Sequence, residues 1–401
     1  MRASHHIERR TSTRPVWEDS AAIDELCSEL LRSLPRVDQR IKGARYVRGL
    51  LRTPGRKTMR NIAAELGGNA TEQTVHHFIS GSTWNWEPVR QALAGHVLRQ
   101  ARPQAWVLRP IAIPKGGRHS VGVGRRFEPT AGQVLDGQHA AGVWAVSERA
   151  TAPVNWRLHL PKAWVEDRDR RLRASIPDST CVEPLSGCTV SAFTAVAKPW
   201  SLPDLPVVFD AREADAESAI RRLRALGSPV LARIDSDLPI VVTDPALPAH
   251  SPHPIPVTAV LASAAHLSRG SVLPGPGRPL RSGRSRITTT RVRVRMPAAS
   301  GGGDLMLLGI GGPDGRPEQV WLTDLVASPT ADLLRLSRFV DRVDRDVASI
   351  ATPVGIRDYV GRSFGGWHRH ATLVSIAHTI RALGTDPVLR KEPASTSRRR
   401  P

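Results

Sequence analysis

The stretch "PVVFDAREADAESAIRRLRALGSPVLARID", residues 206–235, constrains the fold more than any other. Two short apolar runs, bounded by turn residues, flank a segment with apolar residues at helical spacing. The runs read as strands and the middle as a helix. Strand, helix, strand is the βαβ arrangement, in which the strands lie parallel and the helix crosses one face of their sheet. The spacing predicts an α/β fold.

The rest of the chain arranges itself around this unit. "AAIDELCSELLRSL" places Ile23, Leu26, Leu30 and Leu34 at helical spacing. Arg36, Arg40, Lys42, Arg45, Arg48, Arg52, Arg56, Lys57 and Arg60 follow, with Asp38 the one acid among them. "TMRNIAAELGG" reads as a helix stopped by Gly67 and Gly68. "NATEQTVHHFISGSTW" starts another, with Thr71 as its N-cap. "WNWEPVRQALAGHVLRQ" starts a third, with Pro88 in its first turn. Helix, glycine turn, helix on a basic background is the pattern of a DNA-binding helix-turn-helix.

From Ala105 the texture changes. "WVLRPIAI", "SVGVGRRF", "GVWAVSE" and "TTTRVRVRM" read as strands. Residues 251–317 are rich in Pro, Gly and Arg and read as an inserted β region or long loops, and residues 331–383 read as helical. The expected divisions are a disordered 1–20, a helical DNA-binding domain over 21–104, the first part of the core over 105–240, a β-rich insertion over 241–320, a C-terminal helical part over 321–385 and a disordered basic tail over 386–401.

Charge points to the partner. The 401 residues carry a formal net charge of +20, while apolar residues make up 40%. That balance describes a folded chain that meets a polyanion: DNA, RNA or an anionic membrane surface. Arginine greatly outnumbers lysine, which suits phosphate recognition by planar forks and also follows from a GC-rich genome. Three cysteines, Cys27, Cys181 and Cys188, argue against a disulfide framework and for a reducing compartment. No apolar run approaches the ~18 residues of a membrane span. "MRASHHIERRTSTRP" has no apolar stretch behind its charges, so it does not read as a signal peptide. The expectation is a cytoplasmic, nucleoid-associated protein with no membrane partner.

Several segments, in order, carry a resemblance: "YVRGLL", "RKTMRNIAAELG", "TVHHFISGSTWNW", "IPKGGRHSVGVGRRF", "VNWRLHLPKAWVEDRDRR", "PVVFDAREAD" and "YVGRSFGGWHRHATLVSIAH". Over about residues 36–383 the chain resembles insertion-sequence transposases of the DDE class, and among them insertion-sequence family seven-oh-one. The resemblance implies an RNase H-like core, an N-terminal DNA-binding domain, DNA as partner and a homo-oligomer. It also implies three carboxylates around two Mg²⁺ ions, which activate a nucleophile and stabilise the leaving oxygen in phosphoryl transfer.

This chain departs from that pattern. Arg109 and Pro110 occupy the first acidic position. Asp210, closing the strand "LPVVF", matches the second. Asp344 matches the third, where the family has a Glu, and keeps the spacing to "GIRDYVGRSFGGW"; a shifted register puts Arg342 there instead. Arg109 would place a cation where a metal should sit. Asp210 and Asp344 are therefore remnants as catalytic and metal-binding residues, expected to be solvated or salt-bridged, and Mg²⁺ is a cofactor only if the centre is active. Asp136 is the alternative acid. A DDE strand-transferase with these residues is expected to be impaired; the alternative is a catalytically dead DNA-binding regulator or an interaction protein derived from a transposase.

The remaining candidates concern DNA. Arg45, Arg48, Arg52, Arg56, Lys57 and Arg60 in the N-terminal helices are expected on phosphates, and Lys115, Arg118, Arg125 and Arg126 around "PKGGRHSVGVGRRF" either contact phosphates too or form a solvated basic hairpin. Arg362 and Trp367 complete the set. In "GGWHRHATLVSIAHTI", Leu373, Val374, Ile376, Ala377 and Ile380 are expected on a buried helix side, and His368, Arg369, His370 and His378 in structural or DNA-facing roles. His76 and His77 read as helix-surface residues. No zinc site is expected, because the cysteines lie far from the histidines.

Overall fold

The computed structural model describes residues 20–128, 132–212, 214–273, 285–297, 303–312 and 317–384. Of the termini expected to be disordered, residues 1–19 and 386–401 lie outside these residues, while Ser20 opens a helix. The strands are β1 (Ala105–Pro114), β2 (Gly124–Glu128), β3 (Gln133–Val146), β4 (Thr151–His159), β5 (Val207–Asp210), β6 (Val230–Arg233), β7 (Pro239–Val242), β8 (Ile255–Pro256), β9 (Arg269–Leu273), β10 (Ser285–Arg295), β11 (Leu305–Gly311) and β12 (Pro317–Thr323).

They form one mixed sheet in the order β2-β3-β1-β5-β6-β12-β11-β10-β7-β8, with β4 also on β3 and β9 also on β10. β4, β3 and β1 are antiparallel, whereas β1, β5 and β6 run parallel. This is a mixed α/β fold, consistent with an RNase H-like nuclease core. The βαβ unit is β5, the helix Ala216–Arg224 and β6. Its helix begins at Asp215, whose side chain accepts from the Ser218 N–H, and buries Ala216, Ala219, Ile220 and Leu223.

Residues 241–320, expected as a β-rich insertion or loops, supply strands of the main sheet. Their strands β10 and β11, with β12, continue the same sheet beyond β6. Alternation in "RVRVR" explains β10: Val292 and Val294 are buried, and Arg293 and Arg295 are exposed.

The N-terminal region holds α1 (Ser20–Leu30), α2 (Val37–Arg52), α3 (Met59–Leu66), α4 (Glu72–His76) and α5 (Glu87–Ala101). Thr58 and Thr71 cap α3 and α4 through their side chains. Gly67 and Gly68 adopt φ of 59° and 58°, a left-handed turn that a side chain would strain. The second helix of the expected pair is short, passing into a π-helical turn at His77–Gly81. A Cβ on Gly81 would meet the His77 ring at 2.9 Å.

These helices share a continuous apolar core with the sheet and with the C-terminal helix Phe364–Gly384. That last helix is buried on nearly every side, not on one. Ion and dipole contacts seal the junction. The Tyr46 hydroxyl meets His370 Nδ1 at 2.8 Å. Arg90, 2% exposed, donates to Thr372 Oγ1, Asn155 Oδ1, the Trp156 carbonyl and the His368 carbonyl. Among the described residues no helix is long and apolar enough to cross a membrane.

Candidate active site

The site forms where the parallel strands end, which in open α/β sheets is where ligands bind. Leu108 of β1 pairs with Phe209 of β5, so Arg109 and Asp210 stand one rung further on neighbouring strands. Asp210 pairs with Arg233 of β6, and Arg233 with Trp321 of β12. On the other side Arg109 faces Gly142 of β3. A Cβ at Gly142 would lie 2.6 Å from Trp144 Nε1 and 2.8 Å from the Trp156 ring, so glycine lets two buried indoles close over the strand.

The helix Phe339–Asp346 crosses this row. Phe339, Val340 and Val343 turn inward, which leaves Asp341, Asp344 and Arg345 on the other faces. Arg109 grips Asp344 with two hydrogen bonds, Nε to Oδ1 at 2.6 Å and Nη2 to Oδ2 at 2.8 Å. Its third nitrogen lies 4.0 Å from Asp210 Oδ2. The positions read as one lost and two retained carboxylates thus meet in one cluster. Arg342, the other residue the register leaves open, donates instead to the Glu148 carbonyl.

Asp210 is shared. Arg212 donates to it from Nε at 3.0 Å, from Nη2 at 2.7 Å and from its backbone N–H at 3.2 Å. Burial opposes ionisation of Asp210, but the hydrogen bonds and charge of Arg212, with the charge of Arg109, hold its carboxyl below the usual value. Burial first, and then the charge of Arg212, lower the pKa of Arg233, against the pull of Asp210 and Asp341. Sequence reasoning missed Arg212 and Arg233. Arg212 was findable, since it stands two residues after a strand-ending aspartate, but nothing local marks Arg233 as a neighbour.

Pro110 follows Arg109 in β1. It lies past the last β5 pairing, where β1 has only β3 beside it, so a missing N–H costs no ladder bond on the β5 side. Together with Phe209, Asp210 and Arg126 it lines a small cavity at the start of the helix Leu185–Ala197.

The donor set does not fit a divalent ion. The described residues hold no group of three His, Cys, Asp or Glu side chains that could share one. The two aspartates that remain spend their oxygens on guanidinium groups. Asp136 is not brought in. Its carbonyl accepts from the Lys115 N–H beyond the far end of β1, roughly 20 Å of strand from Arg109, and its carboxylate lies 3.5 Å from Arg118.

The residues expected on DNA divide in two. Arg52, Arg56, Arg60, Arg118, Arg125 and Arg362 are exposed, and Arg45, Arg48 and Arg126 are half-buried. Arg48 faces Asp24 at 3.5 Å, Arg56 faces Asp358 at 3.6 Å and Arg60 faces Glu72 at 3.2 Å. Three expectations are corrected. Lys57 is 5% exposed and donates its ammonium to the Thr53 carbonyl. Trp367 is 1% exposed, packed on His368. Lys115 is half-buried and donates to the carbonyls of Arg357 and Tyr359, and burial lowers its pKa to about 8. None of the three presents its head group to a phosphate.

The histidines of the last helix are interior groups. His368 stacks on Trp86 at 4.8 Å. His370 bridges Tyr46 and the Gly355 carbonyl, and His378 meets the Thr151 carbonyl at 3.0 Å. Arg369 donates to the carbonyls of Trp84 and Ile79. His76 and His77 are exposed, as expected of a helix surface.

No curated protein matches the chain. The family model described as DDE superfamily endonuclease matches residues 29–294, about two thirds of the length, including Arg109 and Asp210 and ending before Asp344. With that span matched, the chain belongs to the DDE superfamily endonuclease family.

Proposed function

We propose that this protein is a DNA-binding relative of DDE transposases, resembling insertion-sequence family seven-oh-one, whose metal-dependent strand cleavage is impaired. One observation carries the reading: the Arg109 guanidinium lies on Asp344 through two hydrogen bonds, with Asp210 4.0 Å away. A guanidinium carries a single positive charge, has no open position for a water and does not deprotonate, so it pairs carboxylates without activating a nucleophile. The net charge of +20 and the exposed arginines of α2 and α3 support DNA as the partner, bound through the helical N-terminal region and used where the nucleoid is. An oligomer follows from the resemblance alone.

The test pairs a gel shift with a nicking assay on the same duplexes, one set carrying candidate terminal repeats and one of mixed sequence. The expected result is salt-sensitive binding without Mg²⁺- or Mn²⁺-dependent cleavage. Efficient metal-dependent cleavage that Asp210→Ala abolishes overturns the impairment. No salt-sensitive binding to any duplex overturns the DNA reading and leaves an interaction protein that kept the fold.

A further inference from the structure

The hairpin of β2 and β3 forms one end of the sheet. β3 pairs with β1 from Gly137 onward and with β4 from His139 onward. Below Gly137 the one strand paired with it among the described residues is β2, through the pairs Arg125–Asp136, Arg126–Leu135, Phe127–Val134 and Glu128–Gln133, and the Lys115 N–H reaches the Asp136 carbonyl from just past the end of β1. β2 is itself the edge of the sheet. The four pairs form a two-stranded ribbon roughly 13 Å long, with no strand on either flank among the described residues.

A bare two-stranded ribbon is marginal in water and is normally braced by an apolar face packed on something. Here the apolar pair faces solvent. Phe127 is 54% exposed and Val134, directly across from it, is 52% exposed. Arg125 and Asp136 are the next pair on the same face. Arg118, its side chain 67% exposed, lies 3.5 Å from Asp136. Gln133 is exposed at the last pair of the ribbon.

We propose that this ribbon enters the major groove of a DNA duplex, Phe127 and Val134 against the floor of the groove and Arg125 and Arg118 on its phosphate walls. The proposal rests on the DNA reading above and names the contacting segment and its mode. Three features favour it. The major groove is about 12 Å wide and admits a two-stranded β-ribbon. Its floor offers an apolar partner, the thymine methyl. A second copy of the chain is opposed as occupant, because each copy carries +20 and would bring more arginine against Arg125 and Arg118.

The experiment uses the full chain and fluorescence anisotropy on a 30-base-pair duplex of mixed sequence. The double variant Phe127→Ser, Val134→Ser is expected to bind about tenfold more weakly than wild type with an unchanged melting temperature. Arg125→Ala is expected to reduce the slope of log K against log salt by about 1. Replacing thymine by uracil in the duplex should weaken wild type and leave the double variant unaffected. Methylation of guanine N7, in the major groove, should interfere with wild-type binding more than methylation of adenine N3, in the minor groove. Wild type that binds duplex as tightly as the double variant does overturns the ribbon and leaves the DNA reading intact. Wild type that binds no duplex defeats both. A wild-type dimer in sedimentation that the double variant converts to monomer assigns the patch to a second copy and overturns the proposal.

Discussion

Arg109 and Asp344, 235 residues apart in sequence, are joined by two hydrogen bonds of 2.6 and 2.8 Å. This fork-on-carboxylate geometry ties β1 to the helix Phe339–Asp346. It also supplies, from within the chain, the positive charge that converging carboxylates require.

Reversing that charge should create a need for an ion. Arg109→Asp sets three carboxylates together, and its stability in chelator should fall by roughly 2 kcal/mol, the cost of a broken and partly exposed ion pair. Mn²⁺ at a hundred times its dissociation constant should restore about 2.7 kcal/mol. Thermal melts with and without Mn²⁺ check this. A wild-type melting temperature that rises with Mn²⁺ as much as the variant's contradicts it.

The two aspartates should differ in their contribution to stability. Asp344 has a side chain 44% exposed, and its loss leaves Arg109 able to turn to Asp210, so Asp344→Ala should cost below about 1 kcal/mol. Asp210, 12% exposed, faces Arg109 and Arg212 and pairs across the strands with Arg233. Removing it takes a mostly buried acid from among Arg109, Arg212 and Arg233, and Asp210→Ala should cost roughly 2–3 kcal/mol. Urea titrations of both variants give the order; equal losses would show that the cluster is not centred on Asp210.

Sequence made much of this cluster legible and hid the rest for identifiable reasons. β1, the βαβ unit, β10 and the terminal helices follow from local pattern. β4 and the helix Leu185–Ala197 do not, because strand "TAPVNWRLH" is buried on both faces and shows no alternation. The stretch with β10, β11 and β12 reads as an inserted β region or long loops because its turns are rich in Pro and Gly, and only pairing shows that its strands continue the same sheet. Lys57 and Trp367 mislead for another reason. Residue type suggested DNA, but long-range packing turned both inward.

Arg90 should be among the costliest residues to replace. It is a buried guanidinium whose charge is met by neutral oxygens, and burial lowers its pKa to about 9. Arg90→Ala strands those acceptors and opens a cavity, with an expected loss of about 3–5 kcal/mol. Arg90→Lys should recover little, since one ammonium cannot span acceptors arranged around a planar fork. Chemical denaturation reads both, and near-full recovery by lysine would refute the hub role.

Mild acid should destabilise the fold through the last helix. Burial lowers the pKa of His370 and of His378 to about 4, from 6.5 when unfolded. Between these values the unfolded chain binds protons that the folded chain does not, so stability falls as pH drops from 6.5 towards 4. At pH 5 the loss is roughly 2 kcal/mol for each histidine, and His368 shifts the same way, chiefly through burial. Melts between pH 7.5 and 5 should show the decline, and His378→Gln should flatten it. A melting temperature level over this range would be the contrary result.

The contacts of Tyr46 with His370 and of Arg90 with Thr372 join the two ends of the folded chain. On the ribosome, where the chain grows at about 5–20 residues per second, α2 and α5 therefore wait some tens of seconds for the helix that completes their core. During that interval their apolar faces are open while their arginines already carry charge. A transcript cut short before residue 364 releases a product that keeps every basic residue of the first helices and never receives their final partner, so early termination yields an adhesive cation in place of a folded protein.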